Sequence, residues 1–432
     1  MSPPPTDEPD FFTSRALIDD PYPYFDRLRS GCPVQQEPHH GVVMVTGLEE
    51  AVAVFSDTTS FSSCNSLTGP FPPFPVPLVG DDVSALIDAH RGELPMADEL
   101  TTMDPPRHAA HRALIARYMT PKYINATEPF MRRLADRLLD DIVDRGRCEV
   151  ITDFSGPFAL LNICALLGVP EADHEMFRAE MLDPRRPILS GNTGEAMTAD
   201  PFAFLHERFR IYVEECRARP RDDVMSRLAT SPFPDGSVPE VMDAVRLASM
   251  LFIAGIGTTA GFIATACQVL GDHPEVQAQL RDDPTLIPAF VEETLRHDGE
   301  VKGMFRLART TTNVGGVDVA AGSTVMVVVG AANRDPRRFD APGEFRMDRD
   351  NSRHHVAFGY GAHVCVGAPL ARASARIAVE TLLARLATID VSAAEHGPPG
   401  ARTYRYVPTY ISRSLKSLHL EFTASDRGAP GS

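Results

Sequence analysis

Several features that would point to other classes of protein are scarce in this 432-residue sequence. Basic residues are outnumbered: 42 Lys and Arg face 58 Asp and Glu, and the formal net charge of −16 argues against nucleic acid and an anionic membrane surface as partners. The seven cysteines are scattered and odd in number, so they form no disulfide framework, and a reducing, cytoplasmic location is expected. The N-terminus has no basic stretch followed by an apolar one, so we expect neither signal peptide nor membrane anchor.

The sequence also lacks Gly/Ser linkers, low-complexity blocks and repeats at a fixed period. Length alone suggests about three domains. Without internal boundaries, however, we predict one large domain over residues 16–424, between flexible tails at 1–15 and 425–432. A hydrophobic content of 43% is sufficient for a large core.

One long stretch carries no charged residue. Leu247 to Leu270 is long enough to span a bilayer, but it is only mildly apolar and contains several Gly, Ser and Thr residues. We therefore predict a helix buried in the core, beginning at a capping box formed by Ser237 and Glu240 and ending near Gly271. Few single-domain folds contain such a long rod.

The stretch Phe358 to Arg372, F-G-Y-G-A-H-V-C-V-G-A-P-L-A-R, carries the clearest chemical signal. Its cysteine, Cys365, lies among three closely spaced glycines, which allow positive φ and close approach to a ligand. A thiolate is a strong ligand for iron. A helical pattern with Pro369 in its first turn follows, so the partial charge of a helix N-terminus would stabilise a thiolate here. A buried, inert cysteine in a glycine-rich turn is the alternative.

This stretch resembles the FGxGxHxCxG signature of the cytochrome P-450 superfamily, the haem-thiolate monooxygenases. The matching residues are Phe358, Gly359, Gly361, His363, Cys365 and Gly367. The resemblance implies a mainly α fold with small β-sheets, triangular and dominated by helices, with a long central helix over the haem. It implies haem b with the Cys365 thiolate as metal ligand, and further cofactor contacts from Phe358, Gly359, His363 and Gly367.

A second motif lies in T-M-D-P-P-R-H-A-A-H-R, where we predict that Asp104 caps a helix opening with two prolines. His108 and Arg112 are four residues apart and share one face of this helix. The run resembles the family's DPPxHxxxR motif, which implies that both residues bind haem propionates, as two cationic donors facing two carboxylates. Two solvated polar residues are the alternative.

Midway along the long helix lies A-G-I-G-T-T, Ala254 to Thr259, with two glycines that each cost about 1 kcal/mol in a helix. Close helix packing is one explanation, and a groove for a small molecule is the other. The segment resembles the family's AGxDT or AGxET segment, which implies that Thr258, with Thr259, acts on the oxygen side. The usual acid is Gly257 here. We hypothesise that ordered water, Thr259, a polar substrate group or another part of the protein delivers protons, or that the enzyme accepts hydrogen peroxide.

Glu293 and Arg296 lie three residues apart on one face of a predicted helix. They resemble the family's ExxR pair, which implies a structural role in holding the haem-binding core. By the same resemblance Arg306 and His355 bind propionates. Where the family often has an arginine within P-x-x-F, this chain has Glu344. Either Arg346 or Arg349 is the predicted replacement for that arginine.

The substrate pocket is predicted from resemblance. Residues 64–100 are rich in Pro, Phe and Gly, so we predict an irregular loop that covers the pocket, with a disordered insert as the alternative. Lys302 is predicted to point to solvent rather than to an anionic substrate group, and Asp183 to Gly194 is a predicted lid. The candidate substrate contacts are Phe74, Val76, Ala254, Val301 and Met304.

The resemblance implies a soluble, bacterial-type monooxygenase that inserts one oxygen atom from O2 into a small, largely apolar organic substrate, as in secondary metabolism. NAD(P)H would supply electrons through a ferredoxin reductase and a ferredoxin, because no flavin domain fits in the chain. A basic dock for the ferredoxin is predicted from Arg107, Arg117, Arg372 and Arg376. A peroxide-driven haem peroxygenase and a non-catalytic haem-binding protein that recruits a partner are the alternatives.

Overall fold

The computed structural model describes residues 8–183 and 202–425, most of which lie in helices. Apart from Asp183, the predicted lid lies outside the described residues. The helices are α1 (Ala16–Asp19), α2 (Tyr22–Gly31), α3 (Leu48–Ser56), α4 (Ser84–His90), α5 (Arg107–Ala116), α6 (Pro121–Asp140), α7 (Gly156–Leu167), α8 (His174–Met181), α9 (Ala203–Ala218), α10 (Val224–Thr230), α11 (Val241–Asp272), α12 (Pro274–Asp282), α13 (Ile287–Asp298), α14 (Val329–Ala332), α15 (Ala368–Arg385) and α16 (Ala393–His396).

Short strands form small sheets at the edge of the helical core. The larger sheet has the order β1-β2-β8-β5-β3, in which only β2 and β8 are parallel, and β4-β10-β9 and the hairpin β6–β7 stand apart from it. The mainly α fold with small sheets is therefore confirmed. The strands are β1 (Val34–Gln36), β2 (Val43–Val45), β3 (Phe61–Ser62), β4 (Arg147–Glu149), β5 (Met304–Ala308), β6 (Thr312–Val314), β7 (Val317–Val319), β8 (Thr324–Val327), β9 (Leu386–Val391) and β10 (His419–Ala424).

The long helix α11 runs through the core and packs against α7, α9 and α15. Its 32 residues correspond to about 48 Å at about 1.5 Å per residue. Among the described residues it is the one helix long and apolar enough to cross a membrane, and 72% of its most apolar stretch is buried inside the protein. The predicted capping box is misplaced by one turn: Glu240 and Asp243 form it, whereas the Ser237 hydroxyl donates to Asp235.

The prediction of a flexible tail over residues 1–15 is wrong for its second half. Phe11 and Phe12 are 3% and 4% exposed, and they pack with Tyr24, Phe25 and Tyr410 in an aromatic cluster. Burial of two phenylalanine side chains contributes roughly 1.5–3 kcal/mol each, which is sufficient to order a short segment. The composition of the tail concealed this anchor.

A buried ionic network holds the segment before the Cys365 loop against α13. Glu293 and Arg296 form a bidentate pair with both N···O distances at 2.7 Å and no exposed side-chain surface. Arg296 also donates to the backbone carbonyls of Asn333, Pro342 and Glu344. Arg349 Nε donates to Glu293 at 3.0 Å, so Arg349 occupies the predicted replacement role, while Arg346 contributes only its backbone N–H.

Candidate active site

Helix α11 has an open face at its midpoint. Ala254, Gly257 and Thr258 are exposed there, although most of the helix around them is buried. Their spacing of three and four residues places them on one side of the helix. A Cβ added to Gly257 would meet no atom within 4 Å, so this side of α11 borders a groove rather than a packed neighbour. The groove explanation of the A-G-I-G-T-T segment therefore applies at Gly257.

Thr258 and Thr259 differ in position. The Thr258 hydroxyl donates to the Ala254 carbonyl at 2.6 Å, and its residue is open to the groove. Thr259 is 7% exposed and lies off the open face. Of the two predicted oxygen-side residues, the structure places only Thr258 at the groove, because adjacent helical residues point about 100° apart.

The loop before α15 brings Cys365 to an exposed position, in contrast to Cys148, Cys164 and Cys267, which are buried. The Cys365 N–H donates to the Phe358 carbonyl at 2.8 Å and closes the loop. Gly361 is required within it, because φ is +68° and an added Cβ would lie 2.7 Å from the Phe55 carbonyl oxygen. The loop is thus built to present one cysteine.

Opposing influences act on the Cys365 thiol. Protein atoms crowd the sulfur although the residue surface is exposed, and this burial raises the pKa of the thiol. The N–H groups of Gly367 and Ala368 and the guanidinium of Arg112 lower it in part. The predicted helix N-terminus therefore acts in the expected direction, but the net pKa stays above its ordinary value because desolvation outweighs it.

Two arginines beside this loop have no carboxylate partner among the described residues. Arg112 donates through Nη2 to the Val364 carbonyl at 2.6 Å, and Arg306 donates through Nη1 to the Phe305 carbonyl at 2.7 Å. Arg306 is 4% exposed and stacks on Phe55, and burial lowers its pKa to about 10. Buried guanidinium groups are almost always paired, so this arrangement calls for anionic groups supplied from outside the chain.

Two histidines complete this group. The rings of His108 and His363 stack with centroids 3.8 Å apart, and the His363 Nε2 contacts the Ser63 hydroxyl at 3.1 Å. Burial, followed by Arg112, lowers the pKa of His108 to about 4, and burial, followed by Arg306, lowers that of His363 to about 3. Among the described residues His108 is therefore not held as a cation, and its predicted contact with a propionate stays a prediction, in which an imidazole N–H would donate.

His355 does not join this group. Its Nε2 lies 3.1 Å from Glu292 Oε2, and its Nδ1 accepts the Ala357 N–H at 3.2 Å. Arg372 binds the same carboxylate. Although burial raises the pKa of Glu292, the contacts with His355 and Arg372 lower it to about 2. The predicted propionate role of His355 is not supported, because both ring nitrogens already have protein partners.

Asp104 anchors the start of α5 without capping it. The helix begins at Arg107 with Pro106 as its N-cap. The Asp104 carboxylate instead accepts from Ser62 Oγ, the Ser63 N–H and Arg309, and it pairs with Arg91. Burial raises its pKa, but these hydrogen bonds hold it below the ordinary value. Asp104 therefore ties α5 to the strand that precedes it.

The predicted substrate contacts come from three segments of the chain, and their shared role stays a prediction. Ala254 lies on the open face of α11, whereas Phe74 packs against a satellite cluster that contains Ile87 and Leu307. Met304 pairs with Val327 and packs on the sheet. Val76 is half-buried in the Pro-rich loop. Val301 is also half-buried and forms an isolated β-bridge with Ser412.

Lys302 is not directed to solvent. It is 2% exposed, and its Nζ donates to the Thr409 carbonyl at 2.7 Å. Burial, followed by Arg413, lowers its pKa to about 7. Sequence reasoning also missed Glu300, which is 7% exposed and has one carboxylate oxygen without a hydrogen-bond partner in the described part of the chain. The available signal in the sequence was the pair of opposite charges on Glu300 and Lys302, two residues apart in the otherwise apolar segment before β5.

Comparison with known proteins agrees with this geometry. The family model described as Cytochrome P450 matches residues 235–392. The chain is 31% identical over 418 residues to Cytochrome P450 144 of Mycobacterium tuberculosis, covering 95% of this chain and 90% of that protein. It is 35% identical over 303 residues to the cyclomarin C epoxidase CymV of Salinispora arenicola, covering 68% of this chain and 75% of that protein. It superimposes on the substrate-free structure of Mycobacterium marinum cytochrome P450 CYP150A6 with a TM-score of 0.90 and 50% identity, covering 96% and 99% of the two chains.

The chain belongs to the cytochrome P450 family, and it is a haem-dependent monooxygenase that acts on a small molecule with O2 and redox partners. The residues present fit a haem. Arg112 and Arg306 lack carboxylate partners among the described residues, and a haem carries two propionates. Cys365, exposed in a glycine-shaped loop, would supply a donor of the kind that an iron requires.

Proposed function

We propose that the protein binds haem b through the Cys365 thiolate and oxidises a largely apolar organic substrate with O2. The observation that carries this proposal is a pair of arginines, Arg112 and Arg306, beside the exposed Cys365. Neither arginine has a carboxylate partner in the part of the chain that the structure describes. These guanidinium groups would hold the two propionates, with His108 and His363 as neutral N–H donors beside them. Bound haem would supply oxygen activation, and the electron donation of a thiolate ligand favours O–O cleavage.

The remaining groove residues position the substrate and handle protons. Thr258 keeps its hydroxyl proton on the Ala254 carbonyl, and rotation about χ1 would offer the same proton to the groove. Gly257 leaves space for water beside it, since nothing lies within 4 Å of an added Cβ. Ala254 provides a small apolar surface for the substrate. We also propose a natural-product substrate, because the related CymV is named for epoxidation of cyclomarin C.

For electron supply we propose NAD(P)H, a ferredoxin reductase and a ferredoxin in the cytoplasm. The proposal rests on the likeness to bacterial cytochromes P450, which for the Mycobacterium tuberculosis relative covers 95% of this chain and 90% of that protein. The predicted arginine dock is not part of this proposal. Arg107, Arg372 and Arg376 are each engaged by acidic residues of the protein itself, in the pairs Arg107–Asp98, Arg372–Glu292 and Arg376–Glu128.

The first experiment is the visible spectrum of the purified protein, reduced and exposed to carbon monoxide. Cysteine ligation predicts the red-shifted band of a thiolate-bound haem, and Cys365→Ser should abolish that band. A panel of terpenoids, steroids, fatty acids, aromatics and cyclic peptides would then be screened for shifts of the Soret band. A protein that neither contains nor takes up haem would refute the proposal.

A second function, peroxide-driven oxygenation, is favoured by the open space at Gly257. An acid is missing at this position, and the groove has room for a peroxide molecule beside Thr258. Turnover of a substrate hit with hydrogen peroxide alone, at a rate equal to or above that with NAD(P)H and a surrogate ferredoxin, would establish it. Turnover only with the electron-transfer partners would establish the monooxygenase.

A further inference from the structure

A buried carboxyl group lies against the middle of α11 and has no role in the site described so far. Glu300 is 7% exposed and follows α13. Its Oε1 accepts a hydrogen bond from the Ser414 hydroxyl, whereas its Oε2 has no hydrogen-bond partner within residues 8–183 and 202–425. Burying a carboxylate oxygen without a hydrogen-bond partner costs free energy of folding. The carboxyl group is therefore expected either to be protonated or to have a function that explains this cost.

The free oxygen points at α11. A Cβ added to Gly261 would lie 2.2 Å from Glu300 Oε2 and 2.7 Å from its Cδ, so only glycine admits the carboxyl group at this position. Gly261 is three residues after Thr258 and four after Gly257, which places it on the same side of the helix, about one 5.4 Å turn along. The carboxyl group therefore reaches the helix next to the groove where the expected acid is missing.

Burial favours the protonated form of Glu300. Burial raises its pKa to about 8, and Asp298 acts in the same direction. Lys302 and Arg413, together with the Ser414 hydrogen bond, oppose this shift without cancelling it. Gly261 is the contact from α11, and it brings no charge. At pH 7 the group is thus mostly a carboxylic acid with an O–H to donate.

The opposite oxygen meets a residue that is partly open to solvent. Ser414 is half-buried and lies in the chain segment after Tyr410, between Arg413 and Leu415. Its hydroxyl donates to Glu300 Oε1. One carboxyl group therefore joins a partly exposed serine to the side of α11 that carries Thr258.

We propose that Glu300 is the proton donor to the groove of α11, so that a residue from the loop after α13 performs the task of the acid absent at Gly257. This inference rests on the proposed function. The proton leaves the Glu300 carboxyl oxygen that faces Gly261 and passes to water or to the Thr258 hydroxyl. The carboxylate then regains a proton from solvent through the Ser414 hydroxyl, and no electron moves in either step.

The test compares three variants with the unmodified holoenzyme. Glu300→Gln keeps the shape and removes the acid. Gly261→Ala displaces the carboxyl group, whereas Gly257→Ala makes the same chemical change one turn away and meets no atom within 4 Å. The first readout is the infrared C=O band of a protonated carboxylic acid, followed from pH 6 to 10. It needs no turnover, so it is independent of the proposed function.

We expect the unmodified protein and Gly257→Ala to show a band that titrates with a midpoint near pH 8. Glu300→Gln should lack this band, and Gly261→Ala should shift it. The second readout is the fraction of NAD(P)H electrons recovered as hydrogen peroxide instead of product. Product formation should fall on the order of 10²-fold in Glu300→Gln and in Gly261→Ala, with peroxide rising correspondingly, as for loss of a general acid.

Three results would overturn the proposal: no titrating band, a band that persists in Glu300→Gln, or unchanged partition between product and peroxide in both Glu300→Gln and Gly261→Ala. If Glu300→Gln does not fold, Gly261→Ala gives the same two readouts with the acid retained. A titrating band in a protein that turns over nothing would instead count against the proposed function.

Discussion

The network around Glu293 allows a stability prediction with an internal control. Glu293 accepts four hydrogen bonds, two from Arg296, one from Arg349 and one from the Arg346 backbone, and its side chain has no exposed surface. Glu293→Gln retains the shape but leaves two buried guanidinium groups without a compensating charge. Breaking a buried pair in this way costs about 3–5 kcal/mol, far more than an exposed pair.

The matched control is an ion pair of similar chemistry on the surface. Arg210 and Glu214 lie four residues apart on α9, and both side chains are 51% exposed. Glu214→Gln should therefore change the free energy of unfolding by about 0.5 kcal/mol or less. Urea unfolding followed by circular dichroism and by haem absorbance measures both variants. A cost below about 1 kcal/mol for Glu293→Gln, or equal costs for the two variants, would refute the view that this network holds the haem-binding segment.

Three further predictions follow from local geometry. Arg306→Leu should weaken haem binding about 10-fold or more in a haem-transfer titration, because one charge-assisted hydrogen bond is worth about 1.5–3 kcal/mol. The unfolding midpoint of the haem-free protein should stay unchanged or rise, since Arg306 has no carboxylate partner among the described residues. As the control for this prediction, Arg91→Leu breaks an ion pair with Asp104 and should lower the unfolding midpoint of the haem-free protein. The carboxyl pKa of Glu292 is lowered from 4.5 to about 2 in the folded state. The ionised carboxylate therefore contributes on the order of 3 kcal/mol to the free energy of unfolding above about pH 4.5, and this contribution is lost as pH falls toward 2. Glu292→Gln should remove this dependence of the unfolding free energy on pH in the acid range. In thermal unfolding, Gly257→Ala should gain up to about 1 kcal/mol of helix stability, whereas Gly261→Ala should lose about 1–3 kcal/mol by overpacking against Glu300.

The sequence predicted those features that depend on neighbours along the chain. The helix after the Cys365 loop and the long helix α11 depend on periodicity, proline and glycine, and the structure confirms them. The ExxR pair is also local, since three residues on a helix place both side chains on one face. The family motif then supplied the fold.

The errors concern side chains whose partners are distant in sequence. Asp104 was predicted to cap α5, but Arg309 and Arg91 claim its carboxylate. Lys302 was predicted to reach solvent, but the Thr409 carbonyl holds it inside the protein. No local pattern distinguishes a buried lysine from an exposed one, because the choice depends on which segment packs over it. The same limit applied to Glu300, which becomes notable only once Gly261 is seen beside it.

The parallel pairing of β2 with β8 has a consequence for synthesis of the chain. Val43 pairs with Val325, about 280 residues later. At roughly 5–20 residues per second, the ribosome would take on the order of 15–60 s to deliver the second strand after the first. During that interval a ribbon of β1 and β2 would have an open edge formed by Val43, Met44 and Val45, and such an edge can pair with other nascent chains. Slow translation, which lengthens the exposure of this edge, should lower the yield of soluble protein, and a chaperone that covers the edge should raise it. Truncation before Thr324 should leave the ribbon permanently without its partner strand.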